Sequence, residues 1–80
     1  MKNRKIRSLA DRALSVEEHV GIRICQARRA LALTSSALAT NIGVAEARMV
    51  QVEQGQVRIA AGELFDIASH VGKPISYFFS

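Results

Sequence analysis

The sequence predicts an all-α domain of five short helices preceded by a basic arm. Apolar residues recur at helical spacing along nearly the whole chain, and no stretch alternates with the period of a strand. Glycine stands at 21, 43, 55, 62 and 72 and proline only at Pro74, a pattern of punctuation rather than of long loops. Of the 80 residues, 49% are apolar, enough for one small core and too many for a disordered chain. Trp is absent and aromatics are few, so that core must be built from Ala, Leu, Ile and Val.

The elements follow in order. Residues 1–14 form the arm and residues 15–80 the domain. In the arm, Ile6, Leu9, Ala10, Ala13 and Leu14 fall at i, i+3, i+4, i+7 and i+8, the stripe of a short amphipathic helix. Such a helix is too short to persist alone in water and needs a surface to dock on. Ser15-Val16-Glu17-Glu18 fits a capping box that opens the first helix of the domain. Val16, Val20, Ile24, Ala27 and Leu31 share one of its stripes, and it is expected to end near Ala32. Thr34-Ser35-Ser36 offers the next N-cap, for a helix running to Ile42, and Gly43 supplies the positive φ that ends it. A third helix covers about Ala45 to Gln54, with Met49 and Val52 inward and Gly55 as its stop. The link between these two is so short that they must cross steeply. After a connector at Gln56-Val57-Arg58-Ile59, a fourth helix carries Leu64, Ile67, Ala68 and Val71 and ends at Gly72. Pro74 opens a last turn, Ile75 to Phe79, expected to return Phe78 and Phe79 to the core.

Charge and composition narrow the function. The net charge is +4, and its surplus lies in residues 1–14, where Lys2, Arg4, Lys5, Arg7 and Arg12 face only Asp11. In residues 15–80 the charges cancel. A basic balance suits an anionic partner, nucleic acid or a membrane surface, and charge alone does not choose between them. The lone Cys25 forbids an intrachain disulfide and predicts a reducing, cytoplasmic setting. No apolar run approaches the roughly 20 residues of a membrane span. The basic start is not followed by the apolar stretch of a secretory signal. His19, Cys25 and His70 lack the tight spacing of metal ligands, so no metal or other cofactor is expected. No nucleophile, base and pocket assemble either, so the chain is not expected to be an enzyme. Cys25 reads as a small buried apolar residue and the two histidines as surface or boundary residues.

A more specific signal lies in the middle of the chain. Leu38-Ala39-Thr40-Asn41-Ile42-Gly43-Val44, then a short helix ending in Val52-Glu53-Gln54-Gly55, then Leu64-Phe65-Asp66-Ile67-Ala68, resembles the Cro and phage-repressor (XRE) type of helix-turn-helix domain. The likeness spans roughly residues 20–79. The ending Pro74-Ile75-Ser76-Tyr77-Phe78-Phe79 resembles a bacterial regulator subgroup that closes in Pro-x-Ser-Tyr-Phe-Phe. The resemblance implies a DNA-binding transcriptional regulator, a repressor acting as a homodimer on a palindromic operator. It makes Ala39 a small residue where two helices cross, and gives Leu38, Val44, Met49, Val52 and Leu64 to the shared core. It also implies a buried or half-buried ion pair between Arg28 and Glu53.

By the same resemblance the third helix is the recognition helix. An α-helix fits the major groove of DNA, and its first turns meet base edges. Projected from Met49 and Val52, its outward face is Glu46, Ala47, Val50 and Gln51. Gln51 can read adenine or a phosphate, Glu46 can accept from cytosine, and Ala47 and Val50 can touch thymine methyls. Phosphate contacts are expected from Thr34, Ser35, Arg48, Gln56 and Arg58. The arm cations Lys2, Arg4, Lys5 and Arg7 are expected to track phosphates or an adjacent groove. The arm can equally dock Ile6, Leu9 and Leu14 on a partner subunit, or be a solvated terminus. Three departures from the family pattern stand out: Ser35 where many relatives carry Gln, Ala45 where Ser or Thr caps, and Ala47 and Val50 in place of polar readers. That apolar face supports a rival reading, an antitoxin or adaptor that turns the same fold mainly toward a protein partner.

Overall fold

The computed structural model describes residues 13–80. The expected arm helix and its cations therefore lie, up to residue 12, outside the described residues. Ala13 and Leu14, assigned above to the end of that helix, are non-helical and exposed. The described residues form four α-helices, α1 (Val16–Ala30), α2 (Ser35–Ile42), α3 (Glu46–Glu53) and α4 (Ala61–Val71), and a terminal 3-10 turn (Ile75–Phe78). No strand occurs among them. The fifth expected helix is thus one 3-10 turn, started by Pro74, with Tyr77 N–H bonded to the Pro74 carbonyl at 3.0 Å.

Local chemistry sets the helix ends. At the start of α1 the Ser15 hydroxyl accepts the Glu18 N–H at 3.0 Å, and the Glu18 carboxylate accepts the Ser15 N–H at 2.9 Å. Thr34 caps α2 by accepting the Ala37 N–H at 3.0 Å. Ala45 precedes α3 with no side-chain cap. Ala60 precedes α4, where Glu63 instead accepts the Ala60 N–H at 3.0 Å. All four helices end in one motif, a left-handed residue followed by an N–H that reaches back five residues. These bonds are Leu33 to Arg28, Val44 to Ala39, Gln56 to Gln51 and Lys73 to Ala68, at 2.9 to 3.1 Å. Glycine supplies the positive φ after α2, α3 and α4; after α1 the residue is Ala32, at φ 57°. α1 therefore stops at Ala30, two residues short of the expected end, because Ala32 turns the chain.

The core is contributed by every element. Val20, Ile24 and Ala27 of α1 meet Leu38 and Ala39 of α2, Met49 and Val52 of α3, Leu64, Ile67, Ala68 and Val71 of α4, and Phe78. Val44 packs against this cluster but is only partly buried. Burying each large aliphatic side chain contributes roughly 1.5–3 kcal/mol, so the short helices are held by shared packing rather than by their own propensity. Phe79 corrects its expectation. It is 54% exposed, because a 3-10 turn aims successive side chains about 120° apart and only Phe78 can enter the core. Val16 and Leu31, at the two ends of the α1 stripe, are also exposed, beyond the reach of the neighbouring helices. Val16, Phe65 and Phe79 border an apolar groove of about 450 Å³ that reaches Val20, Val52 and Leu64.

Two contacts at α1 position the rest. Gly21 is not punctuation: a Cβ there would lie 2.5 Å from the Val52 carbonyl oxygen and 2.6 Å from that of Glu53. α1 and the end of α3 therefore touch backbone to side, which only glycine permits. At the other edge, Arg23 Nη2 donates to the Ser80 carbonyl at 2.9 Å and His19 Nε2 lies 2.8 Å from the same oxygen. Arg23 and Lys73 also sit over the Tyr77 ring, 5.1 and 4.9 Å from its centroid, and fasten the terminal segment to α1.

Candidate nucleic-acid interface

α2 and α3 are joined by Gly43, Val44 and Ala45, a turn closed by the Val44 N–H on the Ala39 carbonyl at 3.0 Å. The left-handed Gly43, at φ 74°, reverses the chain so that Val44 can pack beside Ala39. Met49 and Val52 then pin the inner side of α3, which turns Glu46, Ala47 and Gln51 out to solvent and leaves Val50 half-buried. Among the described residues, the side chains of Glu46, Gln51 and Gln56 make no hydrogen bond, so their donors and acceptors are open to a ligand.

Behind this face lies a polar network. Arg28 of α1 grips Glu53 with two N–H groups, Nε to Oε2 at 2.6 Å and Nη2 to Oε1 at 2.8 Å. Arg28 Nη1 donates to the Leu33 carbonyl at 3.0 Å, and the Ser35 hydroxyl donates to Glu53 Oε1 at 3.1 Å. The two side chains are only 11% and 8% exposed. The Glu53 hydrogen bonds hold the Arg28 guanidinium above its ordinary pKa, against the opposing effect of burial. This network ties together α1, the turn after it, the first residue of α2 and the last of α3. Ser35 is consequently a member of the scaffold as well as a residue at the start of α2. Cys25 is half-buried at its edge rather than part of the core, with Arg28 Nη2 3.8 Å from its sulfur.

The cations expected to meet phosphates carry partners that the sequence reading did not identify. Arg48 of α3 donates Nε and Nη2 to Glu63 of α4 at 2.8 and 2.7 Å, and its Nη2 lies 3.4 Å from the Arg58 carbonyl. The Arg48 hydrogen bonds, then the bond from the Ala60 N–H, hold the Glu63 carboxyl below its usual range despite partial desolvation. Arg58 of the connector donates to Glu17 of α1 at 3.1 Å, with its own side chain 83% exposed. Glu17 is lowered first by its backbone hydrogen bond in the first turn of α1 and then by Arg58. Glu63 could have been suspected from its place three residues after a helix start. The partners of Arg48 and Arg58 could not, because they lie 15 and 41 residues away.

Among the described residues, no group of three His, Cys, Asp or Glu side chains could hold a metal ion. No described helix is long and apolar enough to cross a membrane.

No family model matches the chain. It is 46% identical over 65 residues to an uncharacterized transcriptional regulator in the ATPase CF(0) region of Rhodospirillum rubrum, a match covering 81% of this chain. The chain spans about 60% of the length of that relative. Among solved structures, the clp gene regulator ClgR from Corynebacterium glutamicum superposes with a TM-score of 0.79 at 17% identity. That match covers 82% of this chain and 70% of the other. An HTH_3 family transcriptional regulator from Vibrio cholerae superposes with a TM-score of 0.72 at 26% identity, over 80% of this chain and 36% of its own. The α2–α3 pair, the glycine turn between them and these likenesses agree: residues 13–80 have the helix-turn-helix fold of transcriptional regulators.

Proposed function

We propose that the chain is a sequence-specific DNA-binding transcriptional regulator, a repressor that acts as a homodimer on a palindromic operator. The observation that carries this reading is α3, an exposed helix face of Glu46, Ala47 and Gln51 held rigidly on α1 through Glu53 and Arg28. The regulator names of the relatives support it. In this reading Gln51 and Glu46 meet base edges, and Ala47 and Val50 meet thymine methyls. Thr34, Ser35, Arg48, Gln56 and Arg58 face phosphates, and the arm carries the surplus of formal positive charge. One domain touches too few bases for strong discrimination, so two half-sites about one helical turn apart are expected.

Anisotropy titration with a random duplex at low salt tests the reading, and absence of binding at high micromolar protein sinks it. Selection from a random duplex pool then yields the operator. Removing residues 1–14, which carry five basic residues and one acidic, should flatten the salt dependence of binding.

A second reading keeps the fold and gives the α3 face to a protein, as in an antitoxin or adaptor. It is favoured by the half-buried apolar Val50 beside Ala47, and by the pairing of both Arg48 and Arg58 with carboxylates. Charge reversal at Arg48 and Arg58 separates the two readings. Unchanged DNA affinity would favour the protein partner.

A further inference from the structure

We propose that Glu17 and Glu63 compete with the DNA backbone for Arg58 and Arg48, and so limit both the strength and the salt dependence of DNA binding. The inference rests on the DNA-binding reading above and concerns the same surface.

The geometry brings both pairs to the connector after α3. Glu63 takes Nε and Nη2 of Arg48, the edge of the guanidinium fork that a phosphate would also use. Glu17 takes Nε of Arg58 at 3.1 Å and lies 3.1 Å from its Nη2, again the same edge. Arg48 Nη2 lies 3.4 Å from the Arg58 carbonyl, so the Arg48–Glu63 pair reaches the connector whose Arg58 side chain holds Glu17. Each pair cancels its own charge, near a recognition helix whose outward residues include the acidic Glu46.

Neither pair is deeply buried. The side chains of Arg48 and Glu63 are 37% and 22% exposed, and that of Arg58 is 83% exposed. Exposed pairs of this kind are weak and exchange readily. A phosphate can therefore displace the carboxylate without unfolding anything. The displaced carboxylate is then left near an anionic backbone, where it gathers a cation from solution. That uptake offsets a counterion released from the DNA, which makes the dependence of log affinity on log salt shallower by up to about 0.9 per pair.

The test uses the full chain and a random duplex. Glu17→Gln and Glu63→Gln remove a charge while preserving shape, and glutamine at 63 retains an acceptor for the Ala60 N–H that starts α4. Each variant should bind about three-fold or more tightly than wild type, and its salt slope should steepen by roughly 0.5–0.9. Asp66→Asn is the control, since Asp66 is exposed on α4 and has no ion pair among the described residues. The gain from Glu17→Gln should vanish when Arg58→Gln is also present. Two results overturn the inference: equal gains from Asp66→Asn, or a gain from Glu17→Gln that survives loss of Arg58. Binding by the wild type with no change in either Gln variant also overturns it and leaves the DNA reading standing. If neither wild type nor variants bind any duplex, the DNA reading fails and takes the inference with it.

Discussion

Glu53, the last residue of α3, accepts both Nε and Nη2 of Arg28 across the α1–α3 contact, at 2.6 and 2.8 Å, in a site where both side chains are about nine-tenths buried. Breaking such a pair strands the remaining charge, which costs about 3–5 kcal/mol. Glu53→Ala should therefore lower the Tm by more than about 10 °C in a domain of this size. Gln51→Ala, on the exposed outer face two residues earlier, should change stability by no more than about 0.5 kcal/mol while weakening specific DNA binding. Thermal melts of the two variants measure the difference. Equal Tm values would show that Glu53 is not the scaffold residue and Gln51 not the reader.

Gly21 sets how closely α1 approaches α3. An added methyl group meets the Val52 and Glu53 carbonyl oxygens at 2.5 and 2.6 Å, and these are backbone atoms that cannot swing aside. Alanine is the better helix former by up to about 1 kcal/mol, but the clash should dominate. Gly21→Ala is expected to destabilise the domain by about 1–3 kcal/mol, as overpacking does. It should also shift α3 relative to α1 and so weaken DNA binding. A denaturant midpoint equal to wild type would refute the close approach.

Ala32 occupies the left-handed position that glycine fills after the other three helices. A left-handed conformation costs a residue with a Cβ roughly 1 kcal/mol. Ala32→Gly should relieve this and raise stability by about 0.5–1 kcal/mol, less the entropy glycine adds to the unfolded chain. The reciprocal change, Gly43→Ala, should lower stability by a similar amount, and the pair of melts gives both signs.

Acid should loosen the α3–α4 contact through Glu63. Its carboxyl is held below the ordinary glutamate range in the folded state, first by the Arg48 hydrogen bonds. The folded chain then binds fewer protons than the unfolded chain, and stability rises with pH. The contribution is complete above about pH 5 and is lost as pH falls through the folded pKa. Urea midpoints measured between pH 7 and pH 3 should fall less steeply for Glu63→Gln than for wild type. Parallel curves would exclude Glu63 from the acid sensitivity.

Much of the fold is legible in local chemistry. The Ser15–Glu18 box, the Thr34 cap and the glycines at 43, 55 and 72 act within five residues of themselves, so the helix boundaries follow from short-range rules. The stripe Leu64, Ile67, Ala68 and Val71 was equally readable, because helical periodicity and burial describe the same face. Phe79 was not. Adjacent residues of a 3-10 turn point in different directions, and only the placement of the turn on α1 selects Phe78 for the core. Ala32 was missed for a related reason, since nothing in an alanine announces a positive φ.

By itself, then, the sequence determined an all-helical domain, the order and near-boundaries of its helices, and an outward α3 face poor in charge. The tertiary structure alone decided which charges are free. Formal charges in residues 15–80 cancel on paper, but folding pairs Arg28 with Glu53, Arg48 with Glu63 and Arg58 with Glu17 across 25, 15 and 41 residues. The reason is one of range. Capping and helical periodicity act over a few residues of chain, whereas an ion pair needs only a few ångströms of space and has no preferred separation in sequence. Arg48 and Arg58, read as open phosphate contacts, are therefore held by carboxylates whose partnership exists only once α1, α3 and α4 have packed.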